Sequence, residues 1–96
     1  MSFSGNEADF NVVATDALNI YPNPSQGKFR LSIVSQENGK VFIVIVNAAG
    51  SIIKSLSDIK HGLFEKEIEL GNLPSGVYYV KASVNSFSSS KAVLIQ

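Results

Sequence analysis

His61 is the only histidine of the chain, and it stands next to Gly62 in a predicted turn. A catalytic histidine needs a nucleophile to activate or a carboxylate that orients its ring. Asp58 is close in sequence, but the residues around it mark no nucleophile. We therefore interpret His61 as a solvated turn residue.

Three glutamates, Glu65, Glu67 and Glu69, alternate along one predicted strand, so neighbours on the same face are about 7 Å apart. Paired carboxylates could serve glycoside hydrolysis or bind calcium. Hydrolysis needs two carboxyl groups across a deep cleft, which a domain this small hardly provides, and calcium normally takes a looped cage of ligands. We interpret the glutamates as a solvated outer face that also discourages edge-to-edge pairing.

Two further patterns could bind ligands. Residues 71–76 contain two glycines, but they lack the lysine and the following helix of a phosphate-binding loop. Tyr79 and Phe87 could stack on a sugar if they are exposed, in which case Tyr78 faces the core. Packing in the core or at its rim is the alternative, and the lack of tryptophan favours it. The sequence thus predicts no enzymatic activity, no cofactor and no metal site.

Composition argues against several other functions. Eight basic and eight acidic residues give zero net charge, without the basic surface of a nucleic-acid-binding protein or the polybasic segment that holds an anionic membrane. The absence of cysteine excludes disulfides and cysteine-based zinc sites. The longest apolar run, residues 41–46, is too short to span a bilayer. The first residues do not resemble a signal peptide, so an exported protein would carry its signal upstream of this fragment.

Short apolar runs separated by turn residues predict about seven strands. They cover residues 18–21, 28–34, 40–46, 51–57, 63–70, 77–84 and 91–95. Turns recur about every 8–12 residues, as is typical of an immunoglobulin-like antiparallel β-sandwich, and no segment has a helical period. Residues 1–17 follow no period and are predicted to be a linker, with one short extended piece at 10–14, before a domain at 18–96.

Side-chain alternation predicts which residues face the core. The predicted inward set is Ile20, Phe29, Leu31, Ile33, Phe42, Val44, Val46, Ile53, Phe64, Ile68, Leu70, Tyr78, Val80, Ala82 and Leu94. The 41–46 run is apolar on both faces and therefore predicts a central strand. Asn38-Gly39 is a strong signal for a hairpin before it.

Three groups of residues, taken together, resemble one family. They are Leu-Asn-Ile-Tyr-Pro-Asn-Pro at 18–24 with Gly27 and Phe29; Val-Ile-Val-Asn-Ala-Ala-Gly at 44–50 with Ile53; and Leu-Pro-Ser-Gly-Val-Tyr-Tyr-Val at 73–80 with the ending Lys-Ala-Val-Leu-Ile-Gln at 91–96. Their order and spacing resemble the type A C-terminal sorting domain of the type IX secretion system, over residues 18–96. The chain departs from the family at Val46-Asn47, where a Tyr-Asp pair is frequent, and at Gln96, where a lysine or arginine often ends the chain.

The motif residues also have physical roles of their own. They are Tyr21, Pro22, Asn23, Pro24, Gly27, Gly50, Gly76 and Tyr78. The two prolines rigidify their loop, and Asn23 is expected to fold its side chain back on the local backbone. The glycines suit positive φ or close backbone approach. The Tyr78 hydroxyl is expected to bond to the backbone as in a tyrosine corner.

The resemblance implies a C-terminal secretion signal attached to a larger exported protein. The cargo would reach the periplasm through an ordinary signal peptide, and the domain would then direct it through an outer-membrane translocon with its shuttle proteins. A sortase-like surface protease would cut within residues 1–17 and leave the cargo at the cell surface or outside the cell. Neither nucleic acid nor direct membrane insertion is expected. The alternative is a β-sandwich carbohydrate-binding or adhesion module that stays on the mature surface protein.

The last predicted strand, residues 91–95, is the candidate recognition element. Its candidate residues are Lys91, Val93, Leu94 and Ile95. A terminal strand is expected at a sheet edge, where a partner could add a strand to unpaired amides and carbonyls. Lys91 would offer a charge, and Val93 and Ile95 would supply side chains on the face opposite Leu94. Alternatively, the strand only closes the sandwich.

Overall fold

A computed structural model describes residues 16–96, which form seven antiparallel strands. They are β1 (Ala17–Tyr21), β2 (Lys28–Val34), β3 (Gly39–Asn47), β4 (Ile52–Lys60), β5 (Phe64–Glu69), β6 (Gly76–Val84) and β7 (Phe87–Ile95). No helix in this range is long and apolar enough to cross a membrane. The predicted extended piece at 10–14, and the predicted linker before Asp16, lie outside the described residues.

The strands form two sheets, which confirms the predicted immunoglobulin-like sandwich. One sheet has the order β1-β2-β5, and the other has the order β4-β3-β6-β7. All neighbouring strands are antiparallel. β3 lies between β4 and β6, so the run that is apolar on both faces is a central strand, as predicted.

The predicted hairpin at Asn38-Gly39 is wrong, because β2 and β3 lie in different sheets. The connection between them crosses the end of the core, and Lys60 holds it there. The Lys60 ammonium donates to the carbonyls of Ser35 and Glu37, each at 2.7 Å, and to the Asn38 side-chain oxygen at 3.3 Å. Lys60 is fully buried, and these three acceptors replace the water that it loses.

The core lies between the two sheets. Its buried residues are Leu18, Phe29, Leu31, Ile33, Val41, Ile43, Ile45, Phe64, Ile68, Tyr78, Val80, Ala82, Val84, Phe87, Val93 and Ile95. Ile20, Ile53 and Leu70 are partly buried and pack against this cluster, in agreement with their predicted inward positions.

Four predicted inward residues, Phe42, Val44, Val46 and Leu94, do not face the core. Phe42 is 52% exposed, Leu94 is 39% exposed and Val44 is only half-buried. Alternation in β3 cannot fix its phase when both faces are apolar, and a shift of one residue exchanges the two faces. Val46 is only 9% exposed, but it lies on the outer face with Val44, because β3 keeps its register with β6 and pairs Val46 with the exposed Tyr79. The bulge lies in β4, where Ile53 has no partner in β3 between Lys54, opposite Ile45, and Ile52, opposite Val46.

Two strand boundaries also differ from the prediction. β4 continues to Lys60, through residues predicted as a turn, and β7 begins at Phe87, within the serine-rich stretch predicted as a turn. The serines pair with β6, with Ser88 opposite Ser83 and Ser90 opposite Lys81. Cross-strand pairing therefore overrides the turn preference of serine.

Candidate functional site

The loop at residues 22–27, which joins β1 to β2, lies along the outer edge of β7. The amide of Ser25 donates to the carbonyl of Leu94 at 2.8 Å, and the amide of Gln96 donates to the carbonyl of Ser25 at 2.8 Å. Ser25 and Ile95 thereby form an isolated parallel bridge. The first and last groups of motif residues thus meet in space.

Asn23 extends this contact with its side chain. Its Nδ2 donates to the carbonyl of Ala92 at 3.0 Å, and its Oδ1 accepts the amide of Leu94 at 3.0 Å. An amide side chain offers one donor and one acceptor, as a strand backbone does. The predicted bond between Asn23 and its local backbone is therefore replaced by a bond to residues about 70 positions away.

Ser25 organises this loop, a role that the sequence prediction missed. It is buried, with 3% of its surface exposed. Its hydroxyl donates to the carbonyl of Lys28 at 2.8 Å and accepts the amide of Gly27 at 3.2 Å. A serine between a proline and a glycine is a known local turn signal, and it could have indicated this role.

Gly27 closes the loop where it meets the connection after β5. Its φ of +102° lies in a region that favours glycine, and a Cβ here would stand 2.7 Å from the carbonyl oxygen of Gly71. The Gly27 carbonyl accepts the amide of Leu70 at 2.7 Å. Both predicted reasons for this glycine, positive φ and close backbone approach, are confirmed.

Tyr21, Pro22 and Pro24 of the first motif are exposed. β1 ends at Tyr21, which is 44% exposed, and Pro22 and Pro24 follow in the loop. Both prolines are preceded by cis peptide bonds. The predicted end of the strand before Pro22 is confirmed.

The turn between β3 and β4 lies at the same end of the sandwich and is organised by Asn47. The Asn47 side-chain oxygen accepts the amides of Ala49 at 3.0 Å and Ser51 at 2.9 Å, while its carbonyl accepts the amide of Gly50 at 2.9 Å. Gly50 has a φ of +89°. Asn47 has a side-chain oxygen that can accept these amides, as an aspartate in the family's Tyr-Asp pair would have.

Tyr78 bonds to the backbone as predicted for a tyrosine corner. The residue is buried at the start of β6, and its hydroxyl donates to the carbonyl of Pro74 at 2.7 Å. Gly76 lies between the two and takes a positive φ. The third motif therefore fixes the loop that leads into β6.

β7 is an edge strand, as predicted, but its outer edge is not open from Ala92 to Gln96, because the bonds to Asn23 and Ser25 occupy it. Val93 and Ile95 are buried in the core and cannot present their side chains to a partner in the folded domain. Lys91 and Leu94 are the candidate recognition residues of this strand that remain exposed.

The other residues considered as catalytic or ligand-binding candidates lie outside the contact between the 22–27 loop and β7. His61 is exposed in the turn after β4, Tyr79 is exposed, and Phe87 is buried, so Phe87 cannot stack on a sugar. Glu65 and Glu67 are exposed, and they pair with Arg30 at 3.9 Å and Lys28 at 3.1 Å. In residues 16–96, no group of three or more metal-ligating side chains could hold a metal ion.

Two ion pairs on the surface change the pKa of one residue each, Lys28 and Asp58. The hydrogen bond from Lys28 to Glu67 raises the pKa of Lys28. The hydrogen bond from Lys66 lowers the pKa of Asp58, and the Lys66 ammonium lies 3.0 Å from the Asp58 carboxylate. This second pair joins β4 of one sheet to β5 of the other, on the side of the sandwich away from the 22–27 loop.

Comparisons with known proteins agree with this arrangement. No curated protein matches the chain. Among solved structures, the chain is similar to dimeric latent PorU from Porphyromonas gingivalis, with a TM-score of 0.61 and 15% sequence identity. The similarity covers 93% of this chain but only 10% of that one, and at this identity it shows a shared fold. A family model described as the secretion system C-terminal sorting domain matches residues 19–96. The chain belongs to this family, whose members are C-terminal sorting signals of type IX secretion.

Proposed function

We propose that this domain directs a cargo joined to its N-terminal side across the bacterial outer membrane, and that cleavage within residues 1–17 then removes it. The observation that carries the proposal is the family match over residues 19–96. The sandwich supports it physically, because bonds from the 22–27 loop to β7 join the first and last groups of motif residues in one folded unit.

The recognition surface that we propose is the exposed ridge formed by Lys91, Leu94 and the 22–27 loop. Asn23 and Ser25 attach this loop to the outer edge of β7, so both segments form one continuous surface. Because the edge is occupied from Ala92 onward, a translocon or shuttle protein would contact side chains here rather than add a strand.

The test is a passenger protein fused to the whole chain in a host that has the secretion system. Lys91→Glu and Leu94→Ser change exposed side chains and should leave the fold intact. Each should trap the passenger in the periplasm, and fractionation with immunoblotting measures the trapped share. Circular dichroism of the purified variants verifies that they are folded.

Leu63→Ser is a matched control, because Leu63 is 66% exposed in the turn at the other end of the sandwich. It should leave export unchanged. If the Lys91 and Leu94 variants export normally, the recognition surface lies elsewhere. If the mature surface protein retains the domain, the carbohydrate-binding or adhesion alternative is favoured instead.

A further inference from the structure

The two outer faces of the sandwich differ strongly in polarity. Eight large hydrophobic residues of the described range are well exposed, and six of them lie on the four-stranded sheet. These six are Phe42, Ile52, Ile59, Val77, Tyr79 and Leu94. The outer face of the other sheet instead contains the paired charges of Lys28, Arg30, Glu65 and Glu67.

Strand register places these apolar residues on one continuous face. Val77 lies opposite Leu94, and Tyr79 lies opposite Ala92, so β6 and β7 share an apolar stripe. Val44 in the neighbouring strand β3 lies opposite Lys81 of β6. Contiguous apolar patches on monomeric proteins often mark interaction sites.

A groove lies within this face. Its lining includes Phe42, Val44, Ile52, Lys81 and Ser88, and its volume is about 370 Å³. This volume is at the lower end of the roughly 300–1,000 Å³ of small-ligand pockets, and suits one or two inserted side chains. Lys81 places an ammonium group beside the apolar walls.

The charged residues of the four-stranded sheet are mostly positive. Its strands contain the five lysines 40, 54, 60, 81 and 91 but a single acidic residue, Asp58, and the Asp58 carboxylate bonds to Lys66 of the other sheet. Lys40 stands 5.6 Å from the centre of the Phe42 ring. On the outer face, Lys40 and Lys81 therefore flank the groove without a carboxylate from these strands.

We infer that this face binds an apolar segment of a partner protein that presents carboxylates to Lys40 and Lys81. Two lysines are fewer than the roughly 4–8 basic residues that hold a protein on an anionic membrane. A second copy stacked through the same face would bring like charges together, which is unfavourable. This face shares Leu94 with the ridge proposed above, but Leu94 does not line its groove, and the inference does not depend on the proposed sorting function.

The experiment measures binding of short synthetic peptides to the full chain by calorimetry. The peptides share one apolar sequence that contains Phe and Leu, and they differ in flanking residues that are all Glu, all Gln or all Lys. Binding should be saturable, and the peptide with Glu flanks should bind most tightly, followed by the Gln and then the Lys peptide. Each exposed charge contact should change the affinity by a factor of about two to five. Phe42→Ser should weaken binding at least about tenfold.

Charge reversal gives the sharpest test. Lys81→Glu should invert the preference, so that the Lys peptide binds better than the Glu peptide. Tyr21→Ser is the control, since it removes an aromatic residue that is 44% exposed on the other sheet, and it should leave affinity unchanged. Unchanged binding in Phe42→Ser and an unaltered preference in Lys81→Glu would overturn the inference.

A different binding partner for this face would give a different experimental result, and each such result would overturn the inference. Binding to phosphatidylglycerol vesicles in place of the peptides would identify a membrane. A dimer in analytical ultracentrifugation that Phe42→Ser dissociates would identify a second copy. A chain shortened to begin at Asp16 should bind the peptides with the same affinity. If the shortened chain bound the peptides more tightly, residues 1–15 would be the segment that occupies this face.

Discussion

The side-chain oxygen of Asn23 accepts the amide of Leu94 at 3.0 Å, which joins the first loop of the domain to its last strand. The Asn23 amide nitrogen returns a bond to the carbonyl of Ala92. The Asn23 side chain therefore pairs part of a sheet edge that would otherwise be open to other chains.

Asn23→Ala removes both of these bonds and should lower the free energy of unfolding by about 1–2 kcal/mol, since each bond contributes about 0.5–1.5 kcal/mol. Urea denaturation measures the loss, and hydrogen exchange of the Leu94 amide should become faster. Asn72→Ala, which changes an exposed asparagine in the loop after β5, is the control and should have little effect. Unchanged Leu94 exchange would contradict the contact.

Gly27→Ala should be among the more damaging single substitutions in the loop. It combines a φ of +102° with a Cβ placed 2.7 Å from the Gly71 oxygen, and strain and overpacking together should cost about 3 kcal/mol. The midpoint of urea unfolding measures this cost.

Gly71→Ala is the matched control for Gly27→Ala. Gly71 also has a positive φ, +73°, but a Cβ there meets nothing within 4 Å. It should therefore cost only the conformational strain, about 1–2 kcal/mol. Equal losses in the two variants would mean that the close approach to Gly71 contributes nothing.

Tyr78→Phe should destabilise the domain by about 1 kcal/mol. It keeps the buried ring and removes the hydroxyl that donates to Pro74 at 2.7 Å. Denaturant titration measures the change, with Tyr79→Phe as the control because Tyr79 is an exposed neighbour. A comparable loss in both variants would argue against a specific corner bond.

The strands with one polar face were predictable from the sequence. In β2, Phe29, Leu31 and Ile33 alternate with polar residues, and all three are buried as predicted. In β3 both faces are apolar, so alternation could not show that Val41 and Ile43, rather than Phe42 and Val44, enter the core. In the neighbouring strand β4, a bulge at Ile53 adds a shift that no periodicity contains.

The site was predictable only where its bonds are local. The bond from Tyr78 to Pro74 spans four residues, and the place of Tyr78 near the start of a late strand after a turn indicated it. The bonds from Asn23 to Ala92 and Leu94 depend on which strand lies at the edge of which sheet, and the same side chain also has a local alternative. Lys60 was missed for a similar reason, because its acceptors lie more than 20 residues away.

The pair of Asp58 and Lys66 should make stability depend on acid pH. The Lys66 hydrogen bond lowers the pKa of Asp58 below its ordinary 3.8 in the folded state. A lowered carboxyl pKa adds stability above the unfolded-state pKa, and this gain is lost as pH falls through the folded-state pKa. Asp58→Asn should therefore flatten the fall of the urea midpoint below about pH 4.

Lys66→Met tests the cause assigned to Asp58. It should produce only part of the flattening of Asp58→Asn, because the Ile59 amide also donates to the Asp58 carboxylate, at 2.8 Å, and lowers its pKa. The double variant should match Asp58→Asn. Lys28 has the opposite sign, since its raised pKa adds stability that is lost only as pH rises through that pKa. If the urea midpoint of Asp58→Asn falls as steeply below about pH 4 as that of the original chain, other carboxyl groups cause the loss of stability in acid.

Lys60→Met should destabilise the domain by about 2–3 kcal/mol, because it leaves the carbonyls of Ser35 and Glu37 without their charged donor at the end of the core. Methionine preserves most of the buried volume, so the loss reports the missing bonds rather than a cavity. Urea denaturation gives the size of the effect, and amide exchange at Glu37 should accelerate, since its own bond to the Ser35 hydroxyl depends on the same loop. Lys40→Met is the matched control at an exposed position and should change stability by less than about 0.5 kcal/mol. A Lys60→Met variant as stable as the original chain, with unchanged exchange, would mean that water or packing holds this connection instead of the ammonium group.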